Sequence, residues 1–279
     1  MVTMSISPNP TASSRPADRR QRVQSAEMGL SILKALARLG GAASLTATAA
    51  EVDESPAKVH RYLASLCQQG FVGQSQTNQH YFLAQEAISI GLAALRQCDP
   101  IRLGEASLVR LRESLEVTAF LAVMGNKGAT VLRIEEPTLP VTVNMRAGSV
   151  LPTLWSAAGR IFLSFSNDRQ ILELAEQELA QAPAERRAQL PGPQPIEQLR
   201  QQVRNRGWAV VQDSMLRGIS ALAAPIFDST GKVCAALATL GATGGFDLHP
   251  EGAICPALLH EARVISRAMG CLTQHHHPE

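Results

Sequence analysis

The segment Ser55–Leu83, SPAKVHRYLASLCQQGFVGQSQTNQHYFL, contains the pattern that decides the fold. Ser55 followed by Pro56 predicts a helix start, because serine caps the first turn and proline suits the first helical position. The apolar residues that follow recur at helical spacing until a glycine ends the run. Two short apolar stretches around a polar turn, Phe71–Gln74 and Tyr81–Leu83, then predict a β-hairpin.

The residues before this segment predict two more helices. Val23–Leu39 has apolar residues at helical spacing, with Ser25 as its expected cap, and it ends at a pair of glycines. Leu45–Val52 is expected to be a second helix capped by Ser44. Three helices followed by a hairpin is the element order of a winged helix-turn-helix domain.

The third predicted helix has two unlike sides. At about 100° per residue, one arc is apolar and the opposite arc exposes small and basic residues around Arg61. A guanidinium can donate two hydrogen bonds to a guanine edge, and small neighbours let a helix approach the groove closely. The predicted DNA-binding residues are Thr46, Ser55, Pro56, Ala57, Lys58, His60, Arg61, Tyr62, Ser65, Asn78 and His80.

Two other interpretations of this pattern stay open at the level of sequence. One is a small helical domain whose polar face is simply solvated, and the other is a winged helix that binds protein. The charge distribution favours DNA slightly, because residues 1–97 carry nine Lys/Arg and six Asp/Glu, whereas the remainder carries seventeen and eighteen.

Composition excludes several classes of protein. The chain is 45% hydrophobic and 18% charged, which is typical of globular domains. It has no run of about eighteen apolar residues, so we expect no membrane span. Five scattered cysteines without a Cys-x-x-Cys pair indicate reduced thiols in a cytoplasmic protein rather than disulfides.

The chain is expected to contain two domains between two disordered tails. Residues 1–22 form a basic tail, 23–83 the winged helix, 84–97 a linker helix, 98–273 a second domain, and 274–279 a histidine-containing tail. In the linker helix, Ile88, Leu92 and Leu95 share one side. The sequence Cys98-Asp99-Pro100 marks the expected boundary.

The second domain is predicted to be α+β. The expected strands are Val117–Met124, Thr130–Glu135, Trp208–Val211, Ala221–Phe227 and Val233–Leu240. The expected helices are Leu154–Phe165, Asp168–Gln181, Ile196–Arg206 and Pro250–Cys271. Gln181–Pro195 contains four prolines and is expected to be a surface loop.

The sequence contains no common catalytic motif. There is no Gly-x-Ser-x-Gly, no phosphate-binding loop and no His-Glu-x-x-His, and the spacing of Cys255, His249 and His260 does not suit a metal. We therefore expect no enzyme, no cofactor and no metal. The rival class is an enzyme or a small-molecule sensor whose winged helix binds protein.

Several motifs resemble the isocitrate-lyase-regulator (IclR) family of transcription regulators. In the first half they are Val23-Gln24-Ser25, Ser55–Leu63 and Leu66–Val72. In the second half they are Arg146–Pro152, Ala158-Gly159-Arg160, Arg206–Ala209 and Leu222–Asp228. The similarity covers about residues 23–273. It implies a winged helix, a linker helix and a C-terminal effector-binding α/β domain related to GAF/PAS sensors.

The resemblance also implies partners. They are double-stranded operator DNA with a near-palindromic sequence, a small-molecule effector, and a second copy of the chain, with homodimers that can pair into homotetramers. The family's effector pocket corresponds to Leu151, Ala157, Ala158, Asp213, Ala221, Ala238 and Leu240. Trp155, beside the start of the predicted helix, either faces this pocket or belongs to the core.

The chain departs from members of the family that bind small acids. Those carry a cysteine and two serines at the positions of Ala221, Ala238 and Leu240. The missing polar groups predict a larger and more apolar organic acid, with aromatic acids as candidates. Its carboxylate could be held by backbone N–H groups at Ala157–Gly159 or by Arg146.

Overall fold

The computed structural model describes residues 23–138 and 145–271. The predicted tails, residues 1–22 and 274–279, lie outside these ranges. The described residues up to Ala94 form one compact unit, and those from Leu95 onward form a second. In the described part of the chain, no helix is long and apolar enough to cross a membrane.

The first unit contains three helices and a small antiparallel sheet. The helices are α1 (Gln24–Arg38), α2 (Leu45–Glu51) and α3 (Pro56–Gln68). The strands are β1 (Ala42–Ala43), β2 (Val72–Gln74) and β3 (Tyr81–Leu83), in the order β1-β3-β2. The three helices and the hairpin were predicted. Strand β1 was not, because two residues are too few to show a period.

The apolar arcs of α1 and α3 meet in the core of this unit. Fully buried side chains from both helices pack with residues of the hairpin: Ile32, Leu36, Val59, Leu63, Val72 and Tyr81. Two predicted caps are confirmed, since Ser44 accepts a hydrogen bond from the Ala47 N–H and Ser55 accepts one from the Lys58 N–H. The predicted cap of α1 is wrong, because Ser25 lies inside its first turn and Val23 precedes the helix without a side-chain cap.

Helix α4 (Gln85–Leu95) follows the hairpin. It has no buried residue, although it is rich in large apolar side chains. These are between 41% and 59% exposed and comprise Ile88, Ile90, Leu92 and Leu95.

The second unit is built on a six-stranded antiparallel sheet in the order β6-β5-β4-β9-β8-β7. Its strands are β4 (Thr118–Gly125), β5 (Gly128–Glu135), β6 (Val150–Leu151), β7 (Ala209–Gln212), β8 (Ile219–Phe227) and β9 (Val233–Ala242). Its helices are α5 (Pro100–Leu115), α6 (Ala157–Phe165), α7 (Arg169–Gln181), α8 (Ala184–Arg187), α9 (Pro195–Arg206) and α10 (Ile254–Ala268). The prediction of a mixed α+β fold is confirmed.

Both faces of this sheet are covered. Alternate residues of β8 belong to different cores, with Ala221 and Ala223 in one cluster and Leu222 and Ala224 in the other. Helix α6 covers the first face, and α7 and α9 pack against α6. Helices α5 and α10 cover the second face. The alternation follows from the period of two along a strand.

The structure corrects several predicted elements of this unit. Helix α5 was missed, although Asp99 accepts a hydrogen bond from the Ile101 N–H and Pro100 occupies the first helical turn. That is the same start signal as at Ser55, but it was interpreted only as a boundary. Helix α6 begins three residues later than predicted, because Ser156 is its cap. Helix α10 is shorter than predicted at both ends, and the predicted surface loop Gln181–Pro195 contains α8.

Candidate DNA-binding surface and effector site

The outer side of α3 is exposed and contains few bulky residues. Its exposed residues include Ser55, Pro56, Ala57, His60, Arg61, Ala64, Ser65 and Gln68. Arg61 lies in the middle of this surface, and no carboxylate within residues 23–138 and 145–271 forms an ion pair with it. The donors of its guanidinium are therefore available to an external partner.

Two predicted DNA-binding residues of α3 are engaged within the protein. The Lys58 Nζ lies 2.6 Å from Glu54 Oε1, one helical turn earlier. Tyr62 is half-buried and packs against the core of the first unit. The ion pair of Lys58 was not foreseen, although the i, i+4 spacing of Glu54 and Lys58 is its signal.

The other predicted DNA-binding residues lie on α2 and on the hairpin. Thr46 is exposed on α2. In the hairpin turn, Asn78 is exposed and its Oδ1 accepts a hydrogen bond from the His80 N–H at 3.1 Å. Gln79 adopts a left-handed conformation with φ of 60°, and the Gln74 side chain donates to its carbonyl. The turn is therefore held in shape by its own polar groups.

The predicted effector residues, apart from Asp213, come together in one apolar cluster. Strand pairing places Ala221 opposite Leu240, and Ala238 opposite Ala223, which lies on the same face of β8 as Ala221. Helix α6 lies over these strands. The cluster members are between 0% and 9% exposed and comprise Leu151, Trp155, Ala157, Ala158, Ala221, Ala238 and Leu240.

Asp213 lies at the edge of this cluster, in the loop between β7 and β8. Its φ is 53°, in the left-handed region. Its Oδ1 accepts hydrogen bonds from the Gly218 N–H at 2.6 Å and from Thr243 Oγ1 at 3.1 Å. The carboxylate therefore closes the loop Asp213–Gly218 on itself.

The start of α6 is tightly built. Ser156 Oγ accepts a hydrogen bond from the Gly159 N–H at 2.9 Å, so this N–H is already occupied. A Cβ on Gly159 would lie 2.6 Å from the Cα of Thr153 and would also strike the Pro152 carbonyl oxygen. The backbone of the preceding turn can approach α6 this closely only because residue 159 has no side chain.

Arg160 is a buried cation beside the same cluster. It is 8% exposed, and burial lowers the pKa of its guanidinium to about 10. Its Nε donates to the Leu154 carbonyl at 2.9 Å and its Nη1 to the Val210 carbonyl at 2.7 Å. Arg160 thus connects the start of α6 to strand β7.

Two surface depressions lie elsewhere on the second unit. One, of about 200 Å³, is lined by residues from the end of α6, the start of α7 and α9, among them Asp168, Arg169 and Arg200. The other, of about 450 Å³, includes Arg112, Glu113 and Glu136. None of the predicted effector residues lines either depression.

A winged helix-turn-helix unit, followed along the chain by an antiparallel α+β unit, defines the class of two-domain transcription regulators. Two family descriptions match the chain: "IclR helix-turn-helix domain" over residues 25–76 and "Bacterial transcriptional regulator IclR C-terminal" over residues 92–267. The chain belongs to the IclR family of bacterial transcriptional regulators. Its helix-turn-helix domain binds DNA.

Individual relatives agree with this assignment. The chain is 27% identical over 234 residues to the transcriptional repressor IclR of Escherichia coli K12, covering 83% of this chain and 84% of that protein. It is 28% identical over 188 residues to the Pca regulon regulatory protein of Pseudomonas putida, covering 65% and 61%. The crystal structure of Pseudomonas aeruginosa HmgR superposes with a TM-score of 0.83 at 41% identity, covering 90% of this chain and 99% of that one. The first two relatives are regulators by name, and this chain, as a member of the same family, is a regulator rather than an enzyme.

Proposed function

We propose that α3 reads an operator through its outer side, with Arg61 as the main base-contacting residue. The observation that carries this proposal is that Arg61 is exposed and forms no ion pair with any described carboxylate. The residues around it are small, so the helix can approach the DNA groove closely. Ser55, Ala57, His60 and Ser65 share this side and would contact phosphates or base edges. Thr46, Asn78 and His80 would contact the sugar-phosphate backbone of the DNA next to these bases.

We propose that Lys58 contributes less than Arg61. Its Nζ is bound to Glu54, so a contact to phosphate must compete with an ion pair already formed at 2.6 Å. Pro56 shapes the helix start, and Tyr62 supports the helix from within. These two residues therefore contribute to the geometry of α3 rather than to the recognition of particular bases.

We propose that the chain acts in the cytoplasm as a homodimer, which can pair into a homotetramer. Two copies of α3 would enter successive major grooves of a near-palindromic operator. The exposed apolar residues of α4 are candidates for the contact between copies, because burying each large side chain contributes about 1.5–3 kcal/mol.

We propose that the apolar cluster below α6 opens to receive an organic acid with an apolar, aromatic body. The support is the alanine-rich sheet surface at Ala221 and Ala238, which has no hydroxyl or thiol to bind the polar groups of a small acid. Only an effector with different affinities for two arrangements of the dimer can change DNA binding.

Operator titrations test whether the outer side of α3 binds DNA. We expect Arg61→Ala to weaken operator binding by about 1–3 kcal/mol and to reduce the preference for operator over unrelated DNA. Lys58→Ala should weaken binding to both DNAs by a smaller and similar amount. Arg169→Ala, an exposed arginine on α7, is the matched control and should bind as the parent protein does. Unchanged affinity and preference in Arg61→Ala would show that the assignment is wrong.

A further inference from the structure

The apolar side chains of the predicted effector site cannot themselves bind an acid. Its core residues are apolar, and Asp213 carries the same negative charge as a bound carboxylate. The Gly159 N–H at the start of α6 is already bonded to Ser156. An anion placed in apolar surroundings requires a charged or donating partner, because an unpaired buried charge is very costly.

Two guanidinium groups lie beside the cluster, and in the described part of the chain neither forms an ion pair with a carboxylate. They belong to Arg160 and Arg186. Arg160 is buried, and its two bonds to backbone carbonyls are short and join α6 to β7. Releasing it would leave both carbonyls unsatisfied in the interior. Arg160 is therefore a structural connection.

Arg186 has a different setting. It belongs to α8 and is only half-buried. Its Cζ lies 5.1 Å from the ring centroid of Trp155, and its Nη2 donates to the Met215 carbonyl at 3.3 Å. A hydrogen bond this long to a neutral carbonyl is weak, and a carboxylate that offers two charged acceptors competes with it effectively.

The position of Arg186 connects the segments that border the predicted site. Trp155 directly precedes the cap of α6 and is 3% exposed, and Met215 belongs to the loop Asp213–Gly218. The base of that loop is held by Asp213. Its apolar residues, Met215 and Leu216, are 43% and 51% exposed.

We propose that Arg186 recognises the carboxylate of the effector, and that the effector is a flat aromatic acid whose ring packs against Trp155. This inference rests on the proposed effector-binding function. On binding, the carboxylate replaces the Met215 carbonyl as the acceptor for Arg186. The loop Asp213–Gly218 is then released from α8, and its exposed apolar side chains can cover the ligand.

The test compares acids with their neutral amides. Benzoate, phenylacetate and 3-phenylpropanoate place the carboxylate at three distances from the ring, and each has a primary amide of nearly the same shape. Binding of the six compounds at up to millimolar concentration is measured on the full chain by thermal shift and by tryptophan fluorescence. The variants are Arg186→Gln, Arg186→Lys and, as matched control, Arg187→Gln on the same short helix.

We expect the parent protein and Arg187→Gln to bind at least one acid roughly ten- to hundred-fold more tightly than its amide. Arg186→Gln should bind the acid and the amide about equally, and Arg186→Lys should retain part of the preference because a lysine supplies charge without the planar fork. An Arg186→Gln protein that keeps the full preference would overturn the inference.

Two other outcomes separate this inference from the proposed function. If an acid and its amide bind equally to the parent protein, an apolar effector site is supported but carboxylate recognition by Arg186 is refuted. If no compound binds the parent protein, the proposal of an aromatic-acid effector is itself refuted. The proposed role of Arg186 is then refuted as well.

Discussion

At the scale of single residues, one ion pair joins the two helices on the second face of the large sheet. Arg110 on α5 donates to both carboxylate oxygens of Glu261 on α10, at 2.9 and 2.6 Å. Hydrogen bonding from Arg110 lowers the pKa of Glu261, in opposition to the effect of burial. Glu261 is 8% exposed, so its charge depends on this partner.

We expect Glu261→Gln to reduce the free energy of unfolding by about 1–3 kcal/mol at neutral pH, because the amide cannot replace a charge-assisted pair. Because the pKa of the Glu261 carboxyl is lowered on folding, its charge contributes fully to stability above the ordinary glutamate pKa of 4.5, and this contribution is lost as pH falls below that value through the lowered pKa. The difference between parent and variant should therefore shrink in acid. Urea unfolding at stepwise lower pH measures it. Glu176→Gln, exposed on α7, should show no such difference, and a pH-independent loss in Glu261→Gln would contradict the argument.

At the scale of elements, α6 depends on a close approach between backbones. A Cβ at Gly159 would overlap the turn that contains Thr153, and that backbone cannot move away as a flexible side chain could. We expect Gly159→Ala to destabilise the second unit by about 1–3 kcal/mol. Differential scanning calorimetry measures the change.

A second glycine is the control for this substitution. Gly29 lies within α1 and has open space around its Cβ position. Replacing it with alanine should stabilise the helix by up to about 1 kcal/mol, because alanine has the higher helix propensity. If both substitutions had the same effect, the close approach at Gly159 would not be the cause.

Among the elements, the serine-capped starts of α2 and α3 were predicted correctly, whereas the start of α6 was misplaced and that of α5 was missed. Ser44 and Ser55 were identified correctly because a cap acts on the next three residues and needs no distant partner. The start of α6 was misplaced, because the residues before it are as apolar as the helix itself. Their non-helical conformation is set by the approach at Gly159 and by the Glu178 carboxylate, which accepts hydrogen bonds from two backbone N–H groups of that turn.

At the scale of the whole molecule, the exposed residues of α4 bear on assembly. Ile88 and Leu92 share one side of the helix and are 59% and 51% exposed. If α4 forms the contact between copies, Ile88→Glu combined with Leu92→Glu should shift the protein toward monomer and weaken operator binding. Analytical ultracentrifugation with a parallel operator titration measures both effects.

The control is Ser89→Glu, which adds one negative charge, half of that in the double variant, on the same helix about a quarter turn away from that apolar side. It should leave the oligomeric state unchanged. A double variant that sediments like the parent protein would exclude this face of α4 as the contact.

The sequence alone determined the three helices and the hairpin of the first unit, the class of the protein and the outer side of α3, because capping and periodicity act over a few neighbouring residues. By resemblance it also predicted apolar effector-site residues that lie together in the structure. The ion pair of Lys58 with Glu54 is also signalled by their i, i+4 spacing. Only the tertiary structure decided that Asp213 is bound to Thr243 and that Arg160 is bound to the Val210 carbonyl. Arg186 reaches Trp155 and Met215 across gaps of about thirty residues in the chain. Such contacts depend on how distant segments pack, and no local pattern encodes them.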